Sequence, residues 1–168
     1  MSGLTNHQQY TFTVVATNAA GPGSASDSSG AYTPLSGATY FPVNPNRLVD
    51  SRPSYLKGVA GSLKSNVPVS FQVTDRVPGD ATRNIPAGAV AITGNLTVAG
   101  NKSSGYFSLT PAKPSGVPGV STLNFPPGDN RANGVTVQLG AGGVLWVTYE
   151  GVKGPADVVF DVTGYFTM

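Results

Sequence analysis

The 168-residue chain contains no cysteine, so disulfides, thiolate metal sites and thiol nucleophiles are excluded together. It has a single histidine, His7, in a polar, turn-like stretch, which argues against a His-based triad or a multi-histidine metal site. Charge is scarce as well: only 11% of residues are charged, and ten Lys and Arg against eight Asp and Glu lie scattered with no block of one sign. Nucleic-acid binding calls for a clustered basic footprint, so no nucleic-acid partner is expected. No run approaches ~18 consecutive apolar residues, and no membrane span is expected. The opening MSGLTNHQQY lacks the basic-then-apolar layout of a secretory signal, so an extracellular setting implies a leader removed upstream or an origin in a longer chain.

What is abundant is turn and strand chemistry. With 22 Gly, 14 Pro and many Val and Thr, the composition favours short strands joined by turns over helices. The fold class expected is all-β. The length suits one full domain plus a fragment, or one domain with a tail.

The composition changes near residue 36. In residues 1–36, Tyr10, Phe12, Val14 and Ala16 alternate with Thr11, Thr13, Val15 and Thr17, a strand with an aromatic row on one face. A Gly- and Ser-rich stretch, GPGSASDSSG, and a short AYTP follow. A lone hairpin is marginal in water, so this segment is expected to dock on the chain, pair with another chain or stay mobile.

Residues 37–168 carry continuous period-two patterning. The strands are a segment around RLVDS with an aromatic entry at Tyr40, then Val67/Val69/Phe71/Val73, Val90/Ile92/Leu96/Val98 and Phe107/Leu109. Leu123/Phe125, Val135/Val137/Leu139, Leu145/Val147/Tyr149 and Val158/Phe160/Val162 follow, separated by turns such as PAG, PPGD, GAGG and VKGP. About eight strands so spaced suit a β-sandwich or jelly roll. At ~25 cal/mol per Å² of apolar surface buried, such a core needs no metal or disulfide.

Two resemblances add to this reading. GLTNHQQYTFTVVATNAAGPGSAS is similar to the C-terminal part of a bacterial fibronectin type III module, with Leu4 ahead of Tyr10 and an Asn-Ala-Ala-Gly turn before the last strand, but without the first five strands. The block from about Tyr40 to Phe166 resembles a repeated cell-surface domain of actinobacteria and related bacteria. The matching phrases are YFPVNPNRLVDSRP, AVAITGNLTVAGNKSSGYFSLTPA, STLNFPPGDNRANGVTVQLGAGGVLWVTY and ADVVFDVTGYF. That resemblance implies an extracellular or cell-surface location and modularity, and supplies no catalytic mechanism.

The stretch PNRLVDSRP gathers two arginines and an aspartate. A regular strand puts Leu48, Asp50 and Arg52 on one face and Arg47, Val49 and Ser51 on the other. Arg47, Asp50, Arg52 and Asp161 are read as internal ion-pair partners tying the first strand of the domain to the last, with a polar ligand site as the alternative. Among Asp50, Asp75, Asp80, Asp129, Glu150, Asp157 and Asp161 the alternation gives no two a shared cleft, so no glycosidase pair and no catalytic residue is expected. No cofactor is expected either, though turn oxygens of PGDN or DVTGYF leave calcium open. GAGG at 140–143, without a following helix or lysine, reads as a tight turn rather than a phosphate cradle. Asn95 and Asn101 match a glycosylation pattern by coincidence. Trp146 alternates out of phase with Leu145, Val147 and Tyr149, and is read as packing in the core or against a neighbouring module. Trp146, Tyr106 and Tyr149 are the candidates for stacking on a sugar.

The expected function is a non-enzymatic structural or adhesive module of a bacterial surface or secreted protein, self-assembling by strand addition through its N-terminal segment. Its partners are neighbouring modules or identical subunits. The alternative is a carbohydrate-binding module attached to a secreted hydrolase, with a surface polysaccharide as partner.

Overall fold

The computed structural model describes residues 3–34, 36–75 and 84–168. The chain forms two compact units, Met1–Gly37 and Ala38–Met168, and among the described residues the regular structure is all β.

In the first unit a hairpin turns through β1 (Thr17–Asn18) and β2 (Gly21–Pro22). The ladder continues outward in an irregular form. Tyr10 and Tyr32 exchange backbone hydrogen bonds at 2.8 Å, and the N–H groups of Ser29, Ser26 and Gly23 donate to the carbonyls of Phe12, Val14 and Ala16. Each two-residue step on one strand is therefore met by three residues on the other, as in a repeated bulge. Serine hydroxyls fill the gaps: Phe12 N donates to Ser29 Oγ and Val14 N to Ser26 Oγ, both at 3.0 Å. The strand expected at residues 10–17 thus pairs within its own chain. No described residue of this unit is buried, and Val14 stands 72% exposed.

Among its described residues the second unit contains eight strands: β3 (Thr39–Asp50), β4 (Val69–Gln72), β5 (Ala89–Ala99), β6 (Gly105–Thr110), β7 (Leu123–Phe125), β8 (Arg131–Gln138), β9 (Val144–Gly151) and β10 (Asp157–Thr167). They form two four-stranded antiparallel sheets, ordered β3-β10-β5-β8 and β4-β9-β6-β7. The first strand pairs with the last, the second with the seventh, the third with the sixth and the fourth with the fifth, which is the rolled-up hairpin of a jelly roll.

Period-two alternation sends Ile92, Leu96 and Val98 of β5, Phe107 and Leu109 of β6, Leu145, Val147 and Tyr149 of β9, and Val158, Phe160 and Val162 of β10 into one core. Aromatic rings knit it: Phe71 lies 5.8 Å from Phe160, and Phe107 lies 5.1 Å from Phe125 and 5.9 Å from Tyr149. Val135 and Val137 of β8 reach the same core and remain half-exposed, because β8 is an edge strand. Leu63 and Ile85 are fully buried although the sequence around each is polar. Leu63 is fixed by a backbone pair with Ala156 rather than by a periodic strand.

Glycine is required where the first and last strands cross. A Cβ on Gly164 would collide with the ring of Tyr40, 2.5 Å from its Cε2, and that ring lies over Gly164 so that its hydroxyl meets Thr93 Oγ1 at 3.3 Å. The GAGG segment is the tight turn between β8 and β9, with Gly142 and Gly143 at φ near +70°.

Candidate functional site

The charged cluster sits where β3 meets β10. Their antiparallel pairing shifts register between Phe160 and Asp161: Phe160 faces Val49, and Asp161 faces Arg47, leaving Leu48 as the extra residue of a bulge. Phe160 is a core residue, so its partner Val49 points inward, while Arg47 and Asp50 flank it on the outer face. The expectation from a regular strand, with Arg47 and Asp50 on opposite faces, is thereby corrected. One inserted residue brings positions 47 and 50 to the same side.

The resulting network is continuous. Arg47 Nε donates to Asp161 Oδ1 at 2.8 Å and Nη2 to Asp161 Oδ2 at 2.9 Å, while Nη1 donates to Asp50 Oδ2 at 3.0 Å. Arg52 lies beyond the end of β3 and turns back. Its Nε and backbone N–H donate to Asp50 Oδ1 at 2.9 and 3.2 Å, and its Nη2 to Asp50 Oδ2 at 2.7 Å. A backbone pair between Asp50 and Lys57 closes this loop, and the Tyr55 ring lies 4.5 Å from the Arg52 guanidinium. Asp50 is fully buried beneath these partners.

The hydrogen bonds from Arg52 hold the Asp50 carboxyl below its ordinary range, and the neighbouring Arg47 charge acts in the same direction. Asp161 and Asp50 in turn push Arg47 and Arg52 above theirs. A general acid requires the opposite shift for a carboxyl. Arg47, Asp50, Arg52 and Asp161 are brought together as mutual partners, and each charged group is occupied by another.

The other carboxylates disperse. Asp157 Oδ1 accepts hydrogen bonds from Ser51 at 2.8 Å and Ser62 at 2.6 Å, extending the contact between the first and last strands. Asp129 pairs with Arg131, and Asp75 sits in a turn where its N–H donates to Ile85. Asp80 lies outside the described residues. No group of three or more His, Asp or Glu side chains placed to hold a metal is found among the described residues. The acid of PGDN and that of DVTGYF, the two calcium candidates, are both engaged by arginine.

The aromatic candidates separate into different environments. Tyr149 is completely buried against Phe107 and Phe125, with its hydroxyl 3.3 Å from Ser103 Oγ, so its reading as a stacking surface is overturned. Alternation from Leu145 to Tyr149 turns these side chains inward and Trp146 outward. Trp146 is therefore half-exposed on the outer face of the second sheet, with Lys113 Nζ 5.7 Å from its ring, and a place in the core is excluded for it.

Tyr106 shares that outer face. Its hydroxyl donates to the Glu150 carboxylate and lies 3.1 Å from the Pro118 carbonyl, and the carboxylate raises the phenol's pKa. Trp146 faces Thr110, four residues from Tyr106 along β6, so the backbone positions that carry the two rings stand ~13 Å apart along the sheet.

Between them Ser108 and Thr148 are buried, with the Ser108 hydroxyl bonded to the Val120 carbonyl of the 111–122 loop. Thr148 Oγ1 has no hydrogen-bond partner. No alternation pattern signals that this loop covers the sheet. Asn101 is also enclosed, its Nδ2 donating to the Ser103 and Pro126 carbonyls, whereas Asn95 stands half-exposed on β5.

No family model matches the chain, and no curated protein matches it.

Proposed function

We propose that the chain is a non-enzymatic structural or adhesive module of a bacterial extracellular or cell-surface protein, associating with neighbouring modules or identical copies by strand addition through its N-terminal segment. The observation that carries this reading is the hairpin of the first unit, which has bulged backbone pairing on one side only and no buried described side chain. A two-stranded hairpin without a core is marginal in water, and an added sheet edge supplies the missing pairing and cover. The mutual engagement of the conspicuous charges supports a scaffold over a reaction centre. The surface setting rests on the resemblance of PNRLVDSRP through DVTGYF to bacterial surface domains. Light scattering on the full chain and on a variant lacking residues 1–36 tests the reading. Association lost on deletion supports it, and an unchanged oligomeric state overturns it.

A second reading, binding of a surface polysaccharide, is favoured by the half-exposed Trp146 alone. It predicts retention of the chain on insoluble glycans and loss of that retention in Trp146→Ala.

A further inference from the structure

Among the described residues the sandwich has four strand edges, and three are guarded. β3 carries Pro42 and Pro45, which lack donors, and its end is closed by the backbone pair from Asp50 to Lys57. β4 is four residues long and β7 three. β8 is different: eight residues, no proline, no charge after Arg131, and pairing with β5 over eight consecutive positions without a register shift.

Leu139 N donates to Val90 O across the β5 side. By alternation the backbone groups of residues 131, 133, 135 and 137 also face β5, and those of Ala132, Gly134, Thr136 and Gln138 face outward. No described residue pairs with that outer side.

The hairpin presents a matching edge. Tyr10, Phe12, Val14 and Ala16 spend their backbone groups on the return strand, so those of Thr11, Thr13 and Val15 face outward. Residues 10–16 contain no charge, no glycine and no proline. Their apolar side chains, Phe12 and Val14, suit the half-exposed flank of Val135 and Val137 that a further strand on β8 would cover.

We propose that β8 is the receiving edge for the hairpin of a second copy: residues 10–16 of one chain pair with Arg131–Gln138 of the next. This rests on the strand-addition reading above and specifies its acceptor. Chain reach selects a second copy. In a hairpin docked through residues 10–16, the return strand lies five inter-strand spacings, ~24 Å, from β3. The five-residue step from Pro34 to Thr39 spans at most ~17 Å. The contact is heterologous, so copies join head to tail into open chains. A single seven-residue strand makes an interface at the small end of the range, so association is weak and concentration-dependent.

Two prolines test it by sedimentation velocity on the full chain. Thr136→Pro removes an outward N–H from β8, and Thr13→Pro removes one from the hairpin; neither N–H serves an internal ladder. Each is expected to move the association midpoint to at least ~10-fold higher concentration, the effect of ~1.4 kcal/mol. Mixed together, the two variants form a dimer that grows no further, because one retains only its acceptor and the other only its donor. Thr136→Lys, with circular dichroism of every variant, separates lost association from lost folding. If removal of residues 1–36 abolishes association while Thr136→Pro and Thr136→Lys leave it intact, β8 is not the acceptor, although strand addition through the hairpin survives. If the wild type stays monomeric, or the deletion changes nothing, both readings fail. If the mixed variants do not associate, the head-to-tail pairing is overturned.

Discussion

Replacing Asp50 by alanine removes the centre of the network that joins β3 to β10. The carboxylate accepts four hydrogen bonds from two guanidinium side chains and one backbone N–H, and it is fully buried. Breaking a buried ion pair costs about 3 to 5 kcal/mol when the remaining charge is stranded. Here the partners are less confined: the side chains of Arg47 and Arg52 are 41% and 35% exposed, and Arg47 keeps Asp161. They can rehydrate, which lowers the expected loss to about 2 to 3 kcal/mol.

At about 2.1 cal/mol/K of unfolding entropy per residue, a domain of roughly 130 residues loses ~7 to 11 °C in Tm. Thermal unfolding followed by circular dichroism, with urea titration for the free energy, reads both quantities. Arg47→Ala, whose pair with Asp161 is partly solvated, is expected to cost only about 1 kcal/mol. A double-mutant cycle of Asp50→Ala with Arg52→Ala isolates their coupling, expected to exceed ~1 kcal/mol. An unchanged Tm for Asp50→Ala would refute the role of this carboxylate as a tie. Loss of a binding activity with stability intact would make the cluster a ligand site instead.

Acid should act on the same group. Because the folded-state pKa of Asp50 is depressed, its stabilisation is fully present above the unfolded value of ~3.9 and is lost as pH falls through the lower folded value. Urea titrations between pH 6 and 2 should show a steeper decline for the wild type than for Asp50→Ala. Thr148→Val replaces a buried hydroxyl that has no partner with a methyl of similar shape, and should raise stability by about 1 kcal/mol in the same titration. Gly164→Ala places a Cβ against the Tyr40 ring and should cost about 1 to 3 kcal/mol; adding Tyr40→Ala should recover part of that loss. Tyr149→Ala should cost about 3 to 5 kcal/mol by opening the core. Trp146→Ala, on the outer face, should cost far less, and thermal melts compare the two directly.

Much of the fold was legible in the chain because it depends on local alternation. The alternation of Leu145, Val147 and Tyr149 with Trp146 specifies that they take opposite faces, without saying which face is buried, and the same rule puts Ile92, Leu96 and Val98 on one face of β5. Glycine and proline mark the turns, and the number of strands follows. The tie between Arg47 and Asp161 is anticipated from the strand pattern and the resemblance, which make PNRLVDSRP the opening strand of a domain that closes with DVVFDVTGYF.

Other features depend on pairing between distant segments, to which a period of two is blind. The bulge at Leu48 exists only in the register of β3 against β10, and it turns Arg47 and Asp50 to one face. The 111–122 loop buries Ser108 and Thr148 because it folds over the sheet, and Tyr149 proves to be core because β9 lies between β4 and β6. The open edge of β8 is likewise a property of strand order. Sequence by itself determined an all-β chain, its strands and their alternating rows, since these follow from backbone geometry over a few residues. Tertiary structure decided which charges meet, which polar groups are covered and which edge stays open, since those depend on long-range register and layer order.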